Sequence, residues 1–220
     1  MTKETTLSPK FVGIISLWRQ TCLLKIEMKT ANNPREQILK TASQLFYQKG
    51  IQKVGINEII AISGVAKRTL YRHFASKDEL IEEVMKHRAK EWLHWFETAV
   101  QNRGNTAKEK LLATFDVLRE WYANPDFRGC PFINAVLEIA DASHPAHDVS
   151  VEVRESIRMQ IEQLAEQAKV KDAKSFSQQY LLLIGGASLM ATIEGFSEGA
   201  NYAQQALSTL IDSSIKQPQN

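Results

Sequence analysis

The stretch "EIIAISGVAKRTLYRHFASKDEL", residues 58–80, breaks two short apolar-periodic runs with a glycine, then crowds Lys67, Arg68, Tyr71 and Arg72 together. The first run, about Ile56 to Ser63, has helical spacing and stops at Gly64; the second covers about Lys67 to Phe74. Two short helices joined by a glycine-containing turn form a helix-turn-helix, whose second helix can enter the major groove of DNA. Ile59, Ile62, Val65 and Leu70 supply apolar faces expected to lock the pair onto a preceding helix through Leu45 and Phe46. Lys67, Arg68, Thr69, Tyr71, Arg72 and His73 are then expected to face outward. Arg and Lys read guanine edges or hold phosphates, and Tyr and Thr hydroxyls bind phosphate oxygens. Ser76 reads as an N-cap, with Glu79 completing a capping box. Lys77 falls in the first turn of that helix, where free amides and the positive dipole end attract phosphate.

The longer run "REQILKTASQLFYQKGIQKVGINEIIAISGVAKRTLYRHFASKDELIEEVM" resembles the N-terminal domain of the tetracycline-repressor (TetR) family of bacterial transcriptional regulators. The likeness covers roughly residues 35–85 and is carried by "LF…KG", "EIIAISGV", "TLYRHFASKDEL" and the spacings between them. It implies a three-helix DNA-binding domain followed by a larger helical domain that dimerises and holds a ligand cavity. It further implies DNA contacts at Lys67, Arg68, Thr69, Tyr71, Arg72, His73 and Lys77. Two positions depart from the family pattern. Gly55 stands where a Ser or Thr usually caps the second helix and touches a phosphate, so that contact is expected to be lost. Ile60 replaces a usual Ala, which is expected to shift the packing of the two helices.

Outward from this segment, every run keeps helical period and none alternates as a strand would. Pro34 opens a helix that Gly50 stops. The helix begun at Ser76 reaches about Gln101 before "NRGN". Further helices are expected at about 106–122, 131–140, 145–167, 173–194 and 202–211, separated by "ANPDFRG" and "DASHP" among other breakers. The fold class is therefore all-α, with nine or ten helices. The expected division is an extension at 1–33, a DNA-binding domain at 34–80, a regulatory and dimerisation domain at 81–213 and a tail at 214–220.

Charge follows the same division. Residues 34–90 hold eleven Lys and Arg against six Asp and Glu, while residues 91–220 hold eleven against seventeen. A basic segment on an acidic body points to a polyanion-binding head with a second function beneath it. Two cysteines, Cys22 and Cys130, make no disulfide framework or zinc spacing and fit a reducing cytoplasm. Residues 175–193 carry no formal charge, but their serines, glutamines and paired glycines fit a closely packed soluble helix better than a membrane span.

In the body, "RGCPFINAVLEIADASHP" resembles a segment found in one branch of the same family. Trp92, Trp95, Phe96, Phe115, Trp121, Tyr122, Phe127 and Phe132 cluster where the resemblance would place a cavity, pointing to a small apolar or aromatic effector. Each is also compatible with ordinary core. Asn134 and Glu138, one turn apart, could orient a ligand or cap neighbouring backbone. Leu182, Gly185, Gly186, Leu189 and Ile193, in "LIGGASLMATIEG" and just before it, suit a helix packed against its symmetry mate, or against its own chain. The partners expected are thus a palindromic double-stranded DNA operator, a second copy of the chain and the effector; no cofactor and no membrane are expected.

The rival class is a helical enzyme or metal-binding protein. His87, Glu91 and His94 share one helix face at metal-ligand spacing, and Cys130 at a helix start could have a lowered pKa. No second ligand cluster, phosphate-cradling loop or nucleophile elbow accompanies them, so no catalytic residue is expected. Residues 1–33 carry five Lys and Arg against two acids, together with "FVGIISLW". They could be a translated leader before Met28, a minor-groove arm or an extra helix. The cost of leaving so much apolar surface in water favours the leader or the helix.

Overall fold

A computed structural model describes residues 33–195 and 198–215; the readings of residues 1–32 and of the tail beyond 215 lie outside the described residues. Among the described residues the chain forms nine α-helices. They are α1 (Pro34–Lys49), α2 (Ile56–Ser63), α3 (Lys67–His73), α4 (Lys77–Gln101), α5 (Ala107–Tyr122), α6 (Pro131–Ile139), α7 (Pro145–Gln167), α8 (Ala173–Glu194) and α9 (Gly199–Ser214).

Local chemistry sets most of these ends. Asn33 caps α1 by accepting from the Arg35 amide, Pro34 fixes its first turn, and Gly50 ends it at φ +94°. Gly64 ends α2 in the left-handed region at φ +68°. Ser76 Oγ accepts from the Glu79 amide at 3.0 Å, but the Glu79 carboxylate reaches back to Ala75 N instead of Ser76 N, so the expected box closes one residue early. A full capping box occurs at Thr106 and Glu109 on α5. Helix α9 is longer at both ends than its periodicity suggested. Its buried stripe Ala200, Ala203, Leu207 and Ile211 continues the helix, and the Ser214 carbonyl accepts from Lys171 N at 2.9 Å.

Helices α1–α3 form a small head, and α4, twenty-five residues long, runs from it into the body. At about 1.5 Å per residue that helix spans roughly 37 Å. In the body, α4–α9 pack side by side, with α7 against α4, α5, α6 and α8, and α9 against α5 and α8. One apolar cluster runs without interruption from Ile38 to Ile211. At its centre Phe115 and Tyr180 are fully buried, and the Tyr180 hydroxyl donates to the Leu111 carbonyl at 2.5 Å.

Burial pushes the ionisation of Tyr180 and Tyr122 well above the ordinary tyrosine value, and that of Cys130 above the ordinary thiol value. All three are acids whose folded pKa is raised, so the stability they contribute is complete below their unfolded values. It is lost as the unfolded chain releases protons that the folded chain retains. Urea midpoints are expected to hold steady from pH 7 to about 8 and to fall above about pH 10. A midpoint unchanged at pH 11 would contradict this burial.

Candidate nucleic-acid interface and the body behind it

Leu70 and Phe74, fully buried, anchor α3 on the head core, with Ile59 and Val65 packed beside them. Because they occupy one side of a two-turn helix, Lys67, Arg68, Tyr71 and Arg72 project together into solvent from the other. Four of the seven residues expected to meet DNA therefore share one exposed face. Thr69 is half-buried at its edge. His73, expected outward, turns inward beside Phe74, and its Nε2 is buried.

Ile62 also departs from expectation, being 57% exposed. The buried stripe of α2 runs through Ile59 and Ser63, with Ile60 half-buried beside it, so a serine takes the place assigned to an isoleucine. Ser63 fits there because its hydroxyl accepts from Val65 N and lies within reach of the Ile60 carbonyl, while Gln37 Nε2 donates to the Ser63 carbonyl at 2.7 Å. Gly55 begins α2 without a side-chain cap.

Lys77 lies beyond the turn after α3, at the start of α4. Its ammonium donates to the Ile51 carbonyl at 2.7 Å. Partial burial holds its pKa below the ordinary lysine value, opposed by the attraction of Asp78 and Glu138. A phosphate at this position would compete with a carbonyl for the same ammonium.

In the body, Trp92 stacks on Phe96 with centroids 4.8 Å apart, and lies 5.7 Å from Trp121, 6.2 Å from Trp95 and 6.3 Å from Phe132. Trp121, Tyr122 and Phe127 extend the group. Phe115 stands apart and pairs with Tyr180. Trp92 Nε1 is buried among the rings and, within the described residues, has no hydrogen-bond acceptor. Space opens beside them: a hollow of 220 Å³ borders Phe96 and Ile161 and is edged by Gln101, Gln160, Gln163, Gln167 and Lys110.

Asn134 and Glu138, on α6, both engage backbone. Asn134 Nδ2 donates to the Arg128 carbonyl at 2.8 Å, and the Glu138 carboxylate accepts from Ile51 N at 2.6 Å. The backbone-capping alternative thus describes both. Tyr47, which sequence reasoning did not single out, accepts from Arg128 N and donates to the Gly129 carbonyl. Its partners lie more than eighty residues away, and no local pattern marks them.

The residues of the rival reading are dispersed. His87 pairs with Glu91 at 3.4 Å on an exposed face, which raises the His87 pKa. Among the described residues no three His, Cys, Asp or Glu side chains gather as a metal site. The Cys130 thiol, which its place at a helix start could have lowered, is raised instead: burial outweighs the amides of Ile133 and Phe132 at the start of α6. Within the described residues no helix is long and apolar enough to cross a membrane.

On α8, Phe176, Tyr180, Ala187 and Ala191 face the core, while Leu182, Leu189 and Ile193 are mostly exposed. A methyl group added at Gly185 or Gly186 would meet no atom within 4 Å. Nothing among the described residues calls for glycine at either position.

Comparison with known proteins agrees with this arrangement. Residues 38–84 match the family described as bacterial regulatory proteins, tetR family, and residues 107–209 match the tetracyclin repressor-like C-terminal domain. An uncharacterised HTH-type transcriptional regulator from Lactococcus lactis is 26% identical over 176 residues, covering 77% of this chain and 84% of its own length. Among solved structures, a TetR-family transcriptional regulator from Streptomyces coelicolor superposes with a TM-score of 0.77 at 27% identity, over 83% of this chain and 96% of that one. A tetR-type regulator from Streptomyces avermitilis superposes at 0.74 with 29% identity, over 83% and 98%.

Proposed function

We infer the function from one premise: the chain belongs to the tetR family of bacterial regulatory proteins, matched through both its head and its body. It is a helix-turn-helix transcriptional regulator. We propose, more finely, that it is a homodimeric, cytoplasmic repressor released from its operator by a small apolar or aromatic effector. The observation that carries the DNA reading is the shared exposed face of Lys67, Arg68, Tyr71 and Arg72 on a helix anchored by Leu70 and Phe74. Residues 34–80 serve as the DNA-binding unit, with Thr69 and Lys77 at its margin, and residues 81–213 as the regulatory and dimerising unit.

The stripe Leu182, Gly185, Gly186, Leu189 and Ile193 supports the dimer, since a second copy would supply the neighbour that the described residues of one chain do not. Two-fold symmetry then requires a palindromic operator. Effector binding would part the rings around Trp92 from the hollow beside Phe96, and an acceptor atom on the effector would satisfy the Trp92 indole. A ligand that binds this parted state shifts the dimer toward it and away from the spacing the operator requires.

The test is selection of duplexes from a random pool by the full chain, followed by titration at several salt concentrations. Palindromic sites are expected. Lys77→Ala should weaken all duplexes alike and flatten the slope of log K against log salt by about one unit. An unchanged slope would leave the Lys77 ammonium with Ile51 alone. Flat aromatic compounds that quench tryptophan fluorescence should release the selected duplex; release by hydrophilic metabolites only would count against the aromatic cluster.

A further inference from the structure

We propose that Glu138 and Tyr47 are head-positioning residues, which fasten the short helix α6 to the end of α1 and to the loop after it. The body thereby fixes the orientation in which α3 is offered to DNA. This rests on the DNA-binding reading above and names the residues through which the body would act on it.

Glu138 lies in the last turn of α6. Its Oε2 accepts from Ile51 N at 2.6 Å and lies 3.4 Å from Gln52 N, and Gln52 Nε2 lies 3.4 Å from the Glu138 carbonyl. These amides belong to the loop between α1 and α2, so a body carboxylate satisfies head backbone that no helix serves. Gly50 makes the approach possible. At φ +94° it holds a backbone that L side chains rarely adopt, and a methyl group there would sit 2.9 Å from Glu138 Oε2.

The other end of α6 is held separately. Tyr47, in the last turn of α1, accepts from Arg128 N at 2.9 Å and donates to the Gly129 carbonyl at 3.0 Å. Asn134 donates to the Arg128 carbonyl, which ties that loop to α6 itself. The Arg88 guanidinium of α4 lies 4.5 Å from the Tyr47 ring centre and donates to Ser43 Oγ and the Ser43 carbonyl. The seam between α1, α4 and α6 is almost filled, with a void of only 20 Å³.

The arrangement joins two sites. Phe132, at the start of α6, touches the aromatic cluster through Trp92. At the far end of the same helix, Glu138 holds the Ile51 amide, while the Ile51 carbonyl holds Lys77. A rigid shift of α6 therefore reaches a candidate phosphate-binding lysine through the backbone of one residue, Ile51.

The experiment compares the full chain with Glu138→Ala, Glu138→Gln and Tyr47→Phe, using the selected duplex, a random duplex and hydrogen exchange of the amides at 51 and 52. Glu138→Ala should accelerate exchange of those amides at least about tenfold, because their acceptor is gone. It should weaken the selected duplex about tenfold, by loosening a pre-set orientation, and random duplex, which needs no set orientation of α3, by less than about threefold. Glu138→Gln keeps an acceptor oxygen and should stay near the wild type in every measurement. Tyr47→Phe should weaken the selected duplex several-fold without altering exchange at Ile51. Faster exchange with unaltered affinity for the selected duplex would overturn the proposal, as would a Gln variant that behaves like Ala. A wild-type chain that selects no duplex at all would defeat the DNA-binding reading before any variant is compared.

Discussion

Replacing Arg68 and Arg72 together with alanine is expected to abolish operator-specific binding while leaving the fold intact. Both guanidiniums stand on the exposed face of α3, and neither supports the core. A guanidinium that reads a base edge in two hydrogen bonds contributes about 1–3 kcal/mol of discrimination. Two of them correspond to roughly 30-fold up to about 10⁴-fold in affinity for the selected site. Exposed substitutions of this kind shift stability by only about 0.5 kcal/mol, so the melting temperature should hardly move. Anisotropy titration of a labelled operator measures the loss, and Lys40→Ala, exposed on α1, serves as the control. An operator affinity within threefold of the wild type would mean that α3 does not lie in the groove.

The second large effect lies in the body. Phe115 has no exposed surface, and its ring lies 5.7 Å from that of Tyr180, itself fully buried. Phe115→Ala removes a whole ring from a close-packed interior, where the lost transfer energy adds to that of the cavity left behind, together about 3–5 kcal/mol. For a chain of this size each kcal/mol lowers the melting temperature by about 2–4 °C, so a fall of roughly 6–20 °C is expected. Calorimetry of the purified variant measures it directly. A fall of less than 2 °C would show that the site collapses around the missing ring, or that Phe115 is not central to the core. Since Phe115 stands outside the ring cluster at Trp92, tryptophan emission at low temperature should change little.

Helix positions and the helix-turn-helix were legible in the sequence because helix ends are local events. A cap, a proline at the first turn or a glycine at the stop acts on backbone groups within four residues of itself. Asn33 with Pro34, Gly50, Gly64, Ser76 and Pro131 each mark an end of this kind. The exposed basic face of α3 was legible for a related reason: once Leu70 is buried, helical spacing decides which neighbours cannot be. Where that spacing left more than one stripe open, as with Ile62 and Ser63 on α2, tertiary contact made the choice. Gln37 on α1 pairs with the backbone at Ser63, turns that side of α2 inward and leaves Ile62 in solvent.

Sequence alone therefore determined the all-α class, the order of the helices and the exposed face of Lys67, Arg68, Tyr71 and Arg72 on α3, while it misplaced His73. Only the tertiary structure decided what the body does with its polar side chains. Glu138 and Asn134 share a helix face whether they hold a ligand or a loop, and the sequence favours neither. Glu138 finds Ile51 at a separation of 87 residues, and Tyr47 finds Gly129 at 82. Contacts of that range carry no periodic signal. They exist because α4 folds the acidic body back against the head and brings a carboxylate to unsatisfied amides.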